Sequence, residues 1–136
     1  MTTKLTPYLN FRDGTRDAME FYKSVFGGDL IVNTFGETPG MGLDDAEKDK
    51  VLHSMLIVGP DMTIMAADVP TGMEVSANGT LTLSGEDESQ LRGYWDGLVA
   101  DGTVGVPLEK APWGDSFGMC TDRFGVAWMV NIAGSG

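Results

Sequence analysis

The chain has 136 residues, which is the size of one domain and enough to build a hydrophobic core. Its 20 acidic residues outnumber 9 Lys and Arg, and the formal net charge of −11 disfavours nucleic acids and anionic membranes as partners. One cysteine, Cys120, allows no intrachain disulfide, and no apolar run approaches the roughly 20 residues of a membrane span. Because the N-terminus also lacks the apolar core of a signal peptide, we expect a cytoplasmic protein.

The first half of the chain predicts one helix among four short strands. A strand over residues 5–11 is followed by an amphipathic helix, for which Thr15 is the candidate N-cap and Gly27 the expected end. The apolar residues of this helix recur at helical spacing: Ala18, Phe21, Tyr22, Val25 and Phe26. Three further strands are predicted, over residues 29–35, 51–58 and 62–69. Residues 36–50 predict a loop, because glycines, Pro39 and the charge run DDAEKDK interrupt the pattern.

The second half shows the same order of elements. Strands are predicted over residues 79–84, 103–108, 116–121 and 126–132. A helix over residues 86–100 carries one apolar stripe, formed by Leu91, Tyr94, Trp95, Leu98 and Val99. The last two strands read as a hairpin, which the turn Asp122–Gly125 joins.

The two halves form an internal repeat. The helix stripes superpose when Phe21 is aligned with Tyr94, 73 positions further along, and the closing strands 62–65 and 126–129 also align. Order, spacing and stripe phase agree together, which chance similarity of two amphipathic helices does not explain. We therefore predict one α+β domain over residues 1–136. It consists of two βαβββ modules, over about 1–70 and 79–136, with a linker over 71–78.

Four segments carry a family resemblance: PYLNF (7–11), EFYKSVFGG (20–28), LHSMLIVGPDMTIMAAD (52–68) and PWGDSFGMCTDRFGVAWMVNI (112–132). Through them the chain resembles the PhnB-like branch of the vicinal oxygen chelate superfamily, which includes glyoxalase I, extradiol dioxygenases and bleomycin-resistance proteins. The resemblance implies a glyoxalase-like curved mixed sheet and a homodimer that can exchange strands between its chains. Some PhnB-like proteins have been labelled ubiquinone-pathway methyltransferases. No glycine-rich strand-to-helix loop in this sequence indicates an S-adenosylmethionine site.

The resemblance also locates the positions of the superfamily's metal ligands. In its metal enzymes, His, Gln or Glu on the first and last strand of each module hold a divalent ion. In this chain the matching positions carry Pro7, Met65, Thr80 and Met129. Proline offers no donor, neutral threonine is a weak ligand, and thioether sulfur is too soft for these ions. The resemblance therefore implies the fold without its usual metal, and we expect no metal and no other cofactor.

Four side chains could carry chemistry or recognition. His53, the sole histidine, is either a general base or hydrogen-bond partner of a substrate, or a packed strand residue. Its partner in the repeat is Phe117, so both should face one groove. Trp113 and Phe117 suit either the aromatic wall of a ligand cleft or the core. Cys120 has no activating base beside it in sequence and favours a structural thiol over a nucleophile.

These features support two principal functions. The preferred one is metal-free binding of a small, partly apolar molecule in a cavity between the modules, and its candidate lining is His53, Met65, Thr80, Trp113, Phe117 and Met129. Methionines suit a pliable apolar pocket, although plain core is the alternative. The second is an enzyme, namely a metal-dependent or metal-free lyase, isomerase or dioxygenase with His53 as its catalytic candidate. A structural dimer without a ligand is a third reading, and the sequence leaves open whether there is catalysis.

Overall fold

Each half of the chain folds into its own βαβββ unit in the computed structural model, which describes residues 5–37, 47–75 and 78–134. Unit 1 comprises Met1–Ala77 and unit 2 comprises Asn78–Gly136. The predicted α+β class and the two modules are confirmed. The strands form two mixed sheets of four, one in each unit. Parts of two predicted segments, the loop over 36–50 and the linker over 71–78, lie outside the described residues.

Unit 1 has one sheet and one long helix. Its elements are β1 (Tyr8–Phe11), α1 (Thr15–Phe26), β2 (Asp29–Thr34), β3 (Val51–Gly59) and β4 (Met62–Asp68). The strand order is β1-β4-β3-β2, with β1 parallel to β4 and the other pairs antiparallel. A 3-10 turn at Phe35–Glu37 follows β2, so the predicted strand ends one residue earlier than expected.

The start of α1 corrects the predicted cap. Thr15 is the first residue of the helix, and the N-cap is Gly14, which adopts φ 86° and makes no side-chain cap hydrogen bond. The Thr15 N–H is instead held by the carboxylate of Asp68 at 3.0 Å, 53 positions along the chain. A local capping rule misses this contact because the acceptor belongs to β4. The predicted end of the helix at Gly27 is confirmed.

Unit 2 repeats the topology. Its elements are β5 (Leu81–Gly85), α2 (Glu88–Val99), β6 (Thr103–Lys110), β7 (Ser116–Thr121) and β8 (Ala127–Ile132). The order β5-β8-β7-β6 matches that of unit 1 strand for strand, and β5 is parallel to β8. Asp87 caps α2, because its side chain accepts from the N–H of Gln90 at 3.0 Å.

The helix covers one face of the sheet in each unit. In α1 the residues Ala18, Met19 and Tyr22 are fully buried, and Met19 extends the predicted stripe. In α2 the buried residues are Leu91, Trp95 and Leu98, as the stripe predicts. Side chains alternate across a strand, so every second residue of each sheet faces away from its helix. We call that second surface the open face of the unit.

None of the helices within the described ranges is both long and apolar enough to cross a membrane.

Candidate functional site

The open face of unit 1 carries a row of apolar side chains in register across four strands. From β1 to β2 the row is Tyr8, Met65, Met55 and Ile31. Tyr8 is 47% exposed and Ile31 is 48% exposed, whereas neighbours on the helix side such as Leu9 and Leu56 are buried. Apolar surface of this kind, left uncovered by the unit's own helix, marks a place where something else can bind.

A cavity of about 410 Å³ opens on this row. Met55, Met65, Ile57 and Thr63 contribute to its wall, together with Thr6, which precedes β1. Its volume lies within the roughly 300–1,000 Å³ of small-molecule pockets. Two flexible thioether side chains on neighbouring strands let such a wall adapt to the shape of a ligand. Met65 lies in the wall of this cavity of unit 1, and its predicted role in ligand binding stays a prediction.

His53 lies on the same open face as Met55, two residues earlier in β3. It is half-buried, it is in register with Asn33 of β2, and its ring stacks on Tyr8 with centroids 6.2 Å apart and an interplanar angle of 29°. An imidazole there can donate or accept a hydrogen bond at the edge of the apolar row. Tyr8, the partner in this stack, was not among the predicted site residues.

The open face of unit 2 has the matching row. From β5 to β6 it consists of Thr82, Met129, Met119 and Val106. Met129 and Met119 thus take the positions of Met65 and Met55, 64 residues earlier. Phe117 likewise takes the position of His53, in agreement with the predicted repeat.

The residues beside the two methionine positions differ from the predicted ones. The residue in register with Met65 is Tyr8, while Pro7 precedes β1 and its carbonyl accepts from the Met65 N–H at 3.0 Å. The residue in register with Met129 is Thr82, while Thr80 lies one residue before β5 and is exposed. Strand alternation, counted from the buried Leu9, would have indicated Tyr8.

Trp113 and Phe117 form an aromatic pair in unit 2. Phe117 faces away from α2, because a Cβ on its neighbour Gly118 would lie 2.9 Å from the indole of Trp95. Trp113 belongs to the turn before β7 and is 66% exposed, which excludes core packing within the described chain. The two rings meet edge to face with centroids 6.1 Å apart. A role of this pair in the wall of a ligand cleft stays a prediction.

Cys120 behaves as a structural thiol. It lies buried on the helix side of β7, in register with Trp128. Burial, aided by the nearby carboxylate of Asp122, raises the pKa of its thiol to about 11. A thiol with that pKa is protonated at neutral pH, so it is unsuited to nucleophilic attack.

The donor set does not fit a glyoxalase-type metal ion. The side chains at the four register positions are Tyr8, Met65, Thr82 and Met129, and none offers the imidazole or carboxylate that such ions prefer. Over residues 5–37, 47–75 and 78–134, no three His, Cys, Asp or Glu side chains are placed to share a metal. No metal-dependent step can be derived from these residues.

Comparisons with known proteins identify the relatives of this architecture. The family model described as 3-demethylubiquinone-9 3-methyltransferase matches residues 3–131. Protein YjdN of Escherichia coli (strain K12) is 28% identical over 138 residues, which cover 94% of each chain. The crystal structure of PA1353 from Pseudomonas aeruginosa is 34% identical, covers 98% of this chain and all of its own, and superposes with a TM-score of 0.86.

More distant structures share the fold. A putative 3-demethylubiquinone-9 3-methyltransferase, PhnB protein, from Bacillus cereus is 24% identical over 96% of this chain and all of its own, with a TM-score of 0.72. A glyoxylase/bleomycin resistance protein/dioxygenase domain from Frankia sp. EAN1pec is 14% identical over all of this chain and 95% of its own, with a TM-score of 0.67. The expected glyoxalase-like fold and the PhnB-like resemblance are confirmed.

Proposed function

The chain belongs to the PhnB-like family described as 3-demethylubiquinone-9 3-methyltransferase, and we propose that it binds a small, partly apolar organic molecule on the open faces of its sheets. One observation carries the proposal: both units present an apolar row with two methionines at equivalent places, and neither helix covers it. In unit 1 the two methionines of this row, Met55 and Met65, line an open cavity of about 410 Å³, which lies within the range of small-molecule pockets.

The family's description suggests methyl transfer, which the strand-to-helix loop of unit 1 does not favour. Between β1 and α1 the chain has three residues, Arg12–Gly14, with a single glycine. The first helical N–H, that of Thr15, already donates to Asp68, so it is unavailable to a ligand. A glycine-rich loop before a helix with free N–H groups is the usual cradle for a nucleotide-like cofactor. We therefore propose binding of the organic molecule without such a cofactor.

The matched pairs of methionines give a direct test. With the nine methionines labelled at their methyl carbons, the protein is titrated with neutral aromatic molecules such as indole and 1-naphthol. We expect saturable shifts for Met55 and Met65 of unit 1, or for Met119 and Met129 of unit 2. Met19 is the internal control, because it is a fully buried residue of α1, which packs on the opposite side of the sheet.

Two variants sharpen this experiment. Met65→Ala enlarges the cavity and removes part of its wall, so it should weaken binding. Met19→Leu keeps the helix packing and should leave binding unchanged. Equal shifts of Met19 and Met65, or shifts that grow linearly without saturation for every probe, would contradict a binding role for the open face.

His53 supports a second candidate, an enzyme that moves a proton. The imidazole stacks on Tyr8 next to the apolar row, where a bound molecule could reach it. The variant His53→Gln separates the two functions. Binding retained with loss of a turnover would favour the enzyme, and binding weakened without any turnover would favour a recognition role.

We also propose that the protein is a homodimer. Apolar side chains on both open faces and on the edge strand β6 are exposed in the chain by itself, and a second copy could cover part of this surface. Light scattering coupled to size-exclusion chromatography measures the mass directly. A species at twice the chain mass of 14.5 kDa is expected, and a monomer at micromolar concentration would refute the proposal.

A further inference from the structure

The turn that precedes β7 is fixed by backbone hydrogen bonds and exposes the side chain of Trp113 to solvent. The N–H of Ala111 donates to Asp115 O at 2.7 Å, and the N–H of Gly114 donates to Ala111 O at 3.0 Å. Gly114 adopts φ 105°, a conformation that residues with a side chain rarely reach. This turn presents Trp113 outward with 66% of its surface exposed. Exposing an indole forfeits the burial of a large apolar surface, so the position calls for a function.

The segment after β8 closes this turn from the other side. The N–H of Gly134 donates to Oδ1 of Asp115 at 2.8 Å, and a Cβ at Gly134 would overlap the carbonyl of Gly114. The side-chain amide of Asn131 donates to Oδ2 of Asp115 at 3.1 Å. Both carboxylate oxygens are therefore fixed, and Trp113 is displayed by a preorganised turn, which lowers the entropy lost when a ligand binds.

The two aromatic rings form two walls of an open corner. Trp113 and Phe117 have an interplanar angle of 61° with their centroids 6.1 Å apart. Trp113 is 66% exposed, so much of its indole surface stays accessible beside Phe117, and the face of an aromatic ring attracts cations. Aromatic walls of this kind bind methylated ammonium groups, which fit against ring faces without losing strong hydrogen bonds.

The charges around the corner are negative. Glu109 of β6 is in register with Phe117 and thus lies beside it on the open face. Hydrogen bonds, first from Gly134 N–H and then from Asn131, lower the pKa of Asp115, so this carboxyl is ionised at neutral pH. The nearest lysine along β6, Lys110, pairs with Ser116 and faces the opposite side of the sheet. No cation of β6 or β7 therefore shares this face with Phe117.

We propose that Trp113, Phe117 and Glu109 form a binding site for a small organic ammonium ion. The aromatic walls supply contact with the alkyl or methyl groups, and the Glu109 carboxylate supplies the opposite charge. A neutral molecule of the same shape gains only the first of these. The site is independent of the apolar row in unit 1, because it is built wholly within unit 2.

Choline and its neutral isostere 3,3-dimethylbutan-1-ol test the proposal. The chain has three tryptophans, and each gives one indole N–H signal in a nitrogen–proton correlation spectrum. We expect choline to shift the Trp113 signal saturably, while Trp95 and Trp128, both buried, stay in place. The isostere should bind about two- to fivefold more weakly, as expected for loss of a cation–π contact at an exposed site.

Two variants and one control complete the design. Trp113→Ala should abolish the saturable response of the Phe117 ring signals, and Glu109→Gln should weaken choline binding about two- to fivefold. Glu86→Gln changes the net charge equally at an exposed position before α2, and it should have no effect. The Trp128 indole signal, whose N–H donates to Asp122, verifies that each variant is folded.

The outcomes separate this proposal from binding at the apolar row of unit 1. Equal affinity for choline and the isostere would overturn the assignment to a cation. Absence of any saturable shift at Trp113 up to millimolar choline would overturn the site itself. Neither result changes the methyl signals of Met55 and Met65, which report on the apolar row of unit 1.

Discussion

The two units have the same strand order, yet each is held together by a buried aspartate at a different place. In unit 1 this residue is Asp68, at the end of β4, and in unit 2 it is Asp122, in the turn between β7 and β8. Both are more than nine-tenths buried and both satisfy backbone N–H groups. The repeat therefore preserves the strand topology, while the polar contacts that fix each unit differ.

Asp68 joins three elements of unit 1. One carboxylate oxygen accepts from the Thr15 N–H at 3.0 Å, and the other accepts from the Val51 N–H at 2.8 Å. The end of β4 thereby holds the start of α1 and the start of β3. A buried carboxylate is tolerated there because donors face both of its oxygens.

Asp122 acts locally in unit 2. Its Oδ1 accepts from the N–H groups of Phe124 and Val126, and its Oδ2 accepts from the indole N–H of Trp128 at 2.8 Å. These contacts shape the hairpin turn and fix the largest fully buried side chain of the described core. Unit 2 therefore anchors a turn and a tryptophan, where unit 1 anchors a helix.

The largest expected effect follows from removing these anchors one at a time. Asp122→Asn should lower the free energy of unfolding by about 3–5 kcal/mol, because a charged acceptor with several buried donors is lost. Asp68→Asn should cost about 2–4 kcal/mol for two donors. Urea unfolding followed by circular dichroism measures both changes.

Tryptophan fluorescence tells the units apart in this experiment, since all three tryptophans belong to unit 2. We expect Asp122→Asn to shift the fluorescence transition and Asp68→Asn to leave it in place. An equal shift of the fluorescence transition in both variants would show that the units unfold as one, contrary to this prediction.

A smaller effect is expected at one equivalent position of β3 and β7. Ser54 is buried, and its hydroxyl donates to Ala66 O at 2.7 Å. The matching residue is Gly118, where a Cβ would lie 2.9 Å from both Leu108 Cα and the Trp95 ring. Ser54→Ala should cost about 1 kcal/mol for the lost hydrogen bond, whereas Gly118→Ala should cost about 1–3 kcal/mol through overpacking.

Urea midpoints of the two alanine variants test this difference directly. Each change leaves the same methyl group at the same place in the repeat, so the variants are matched controls for one another. If Gly118→Ala were as stable as the parent protein, α2 would lie further from β7 than the structure shows.

Much of this architecture could be predicted from apolar spacing alone. The helix stripes and the glycine after α1 are local signals, and the structure confirms both. The repeat also placed His53 and Phe117 at equivalent positions. These signals work because burial against one helix imposes one period on each element.

The polar anchors could not be predicted in the same way. In the sequence, Asp68 and Asp122 are ordinary residues at a strand end and in a turn. Asp68 also has a partner far away in sequence, Thr15. The Thr15 cap was wrong for this reason. Tyr8 and Thr82 were missed because the positions taken from the family resemblance do not fix the register of the strands. Ligand identity depends on the open faces, where the sequence is least constrained by packing.

The smallest expected effect concerns two carboxyl groups that fix segments outside the sheets, one in each unit. In unit 1, Glu47 accepts from the Thr71 N–H at 3.1 Å and forms an ion pair with Lys50 at 2.9 Å. A hydrogen bond from the Thr71 side chain, followed by that from Lys50, lowers the pKa of Glu47 from 4.5 to about 2. In unit 2, hydrogen bonds from Gly134 and then from Asn131 lower the pKa of Asp115 from its usual 3.8.

Both groups have a lower pKa in the folded chain than in the unfolded chain, so their stabilisation is complete above the unfolded values. For Glu47 it should decline as the pH falls below about 4.5 and vanish near pH 2. The variants Glu47→Gln and Asp115→Asn should therefore differ from the parent protein most at pH 7, and the difference should shrink toward pH 2. Melting temperatures at pH 7, 4 and 2.5 measure this.

Carboxyl-carbon shifts of Glu47 report its pKa separately from stability. A midpoint near 4.5 would mean that Thr71 and Lys50 do not hold this carboxylate in solution, and the segment around Glu47 would then lack the anchor that Asp115 gives to the turn of unit 2. A Glu47 midpoint well below 4.5 is the expected result, because hydrogen bonds to the ionised form favour it.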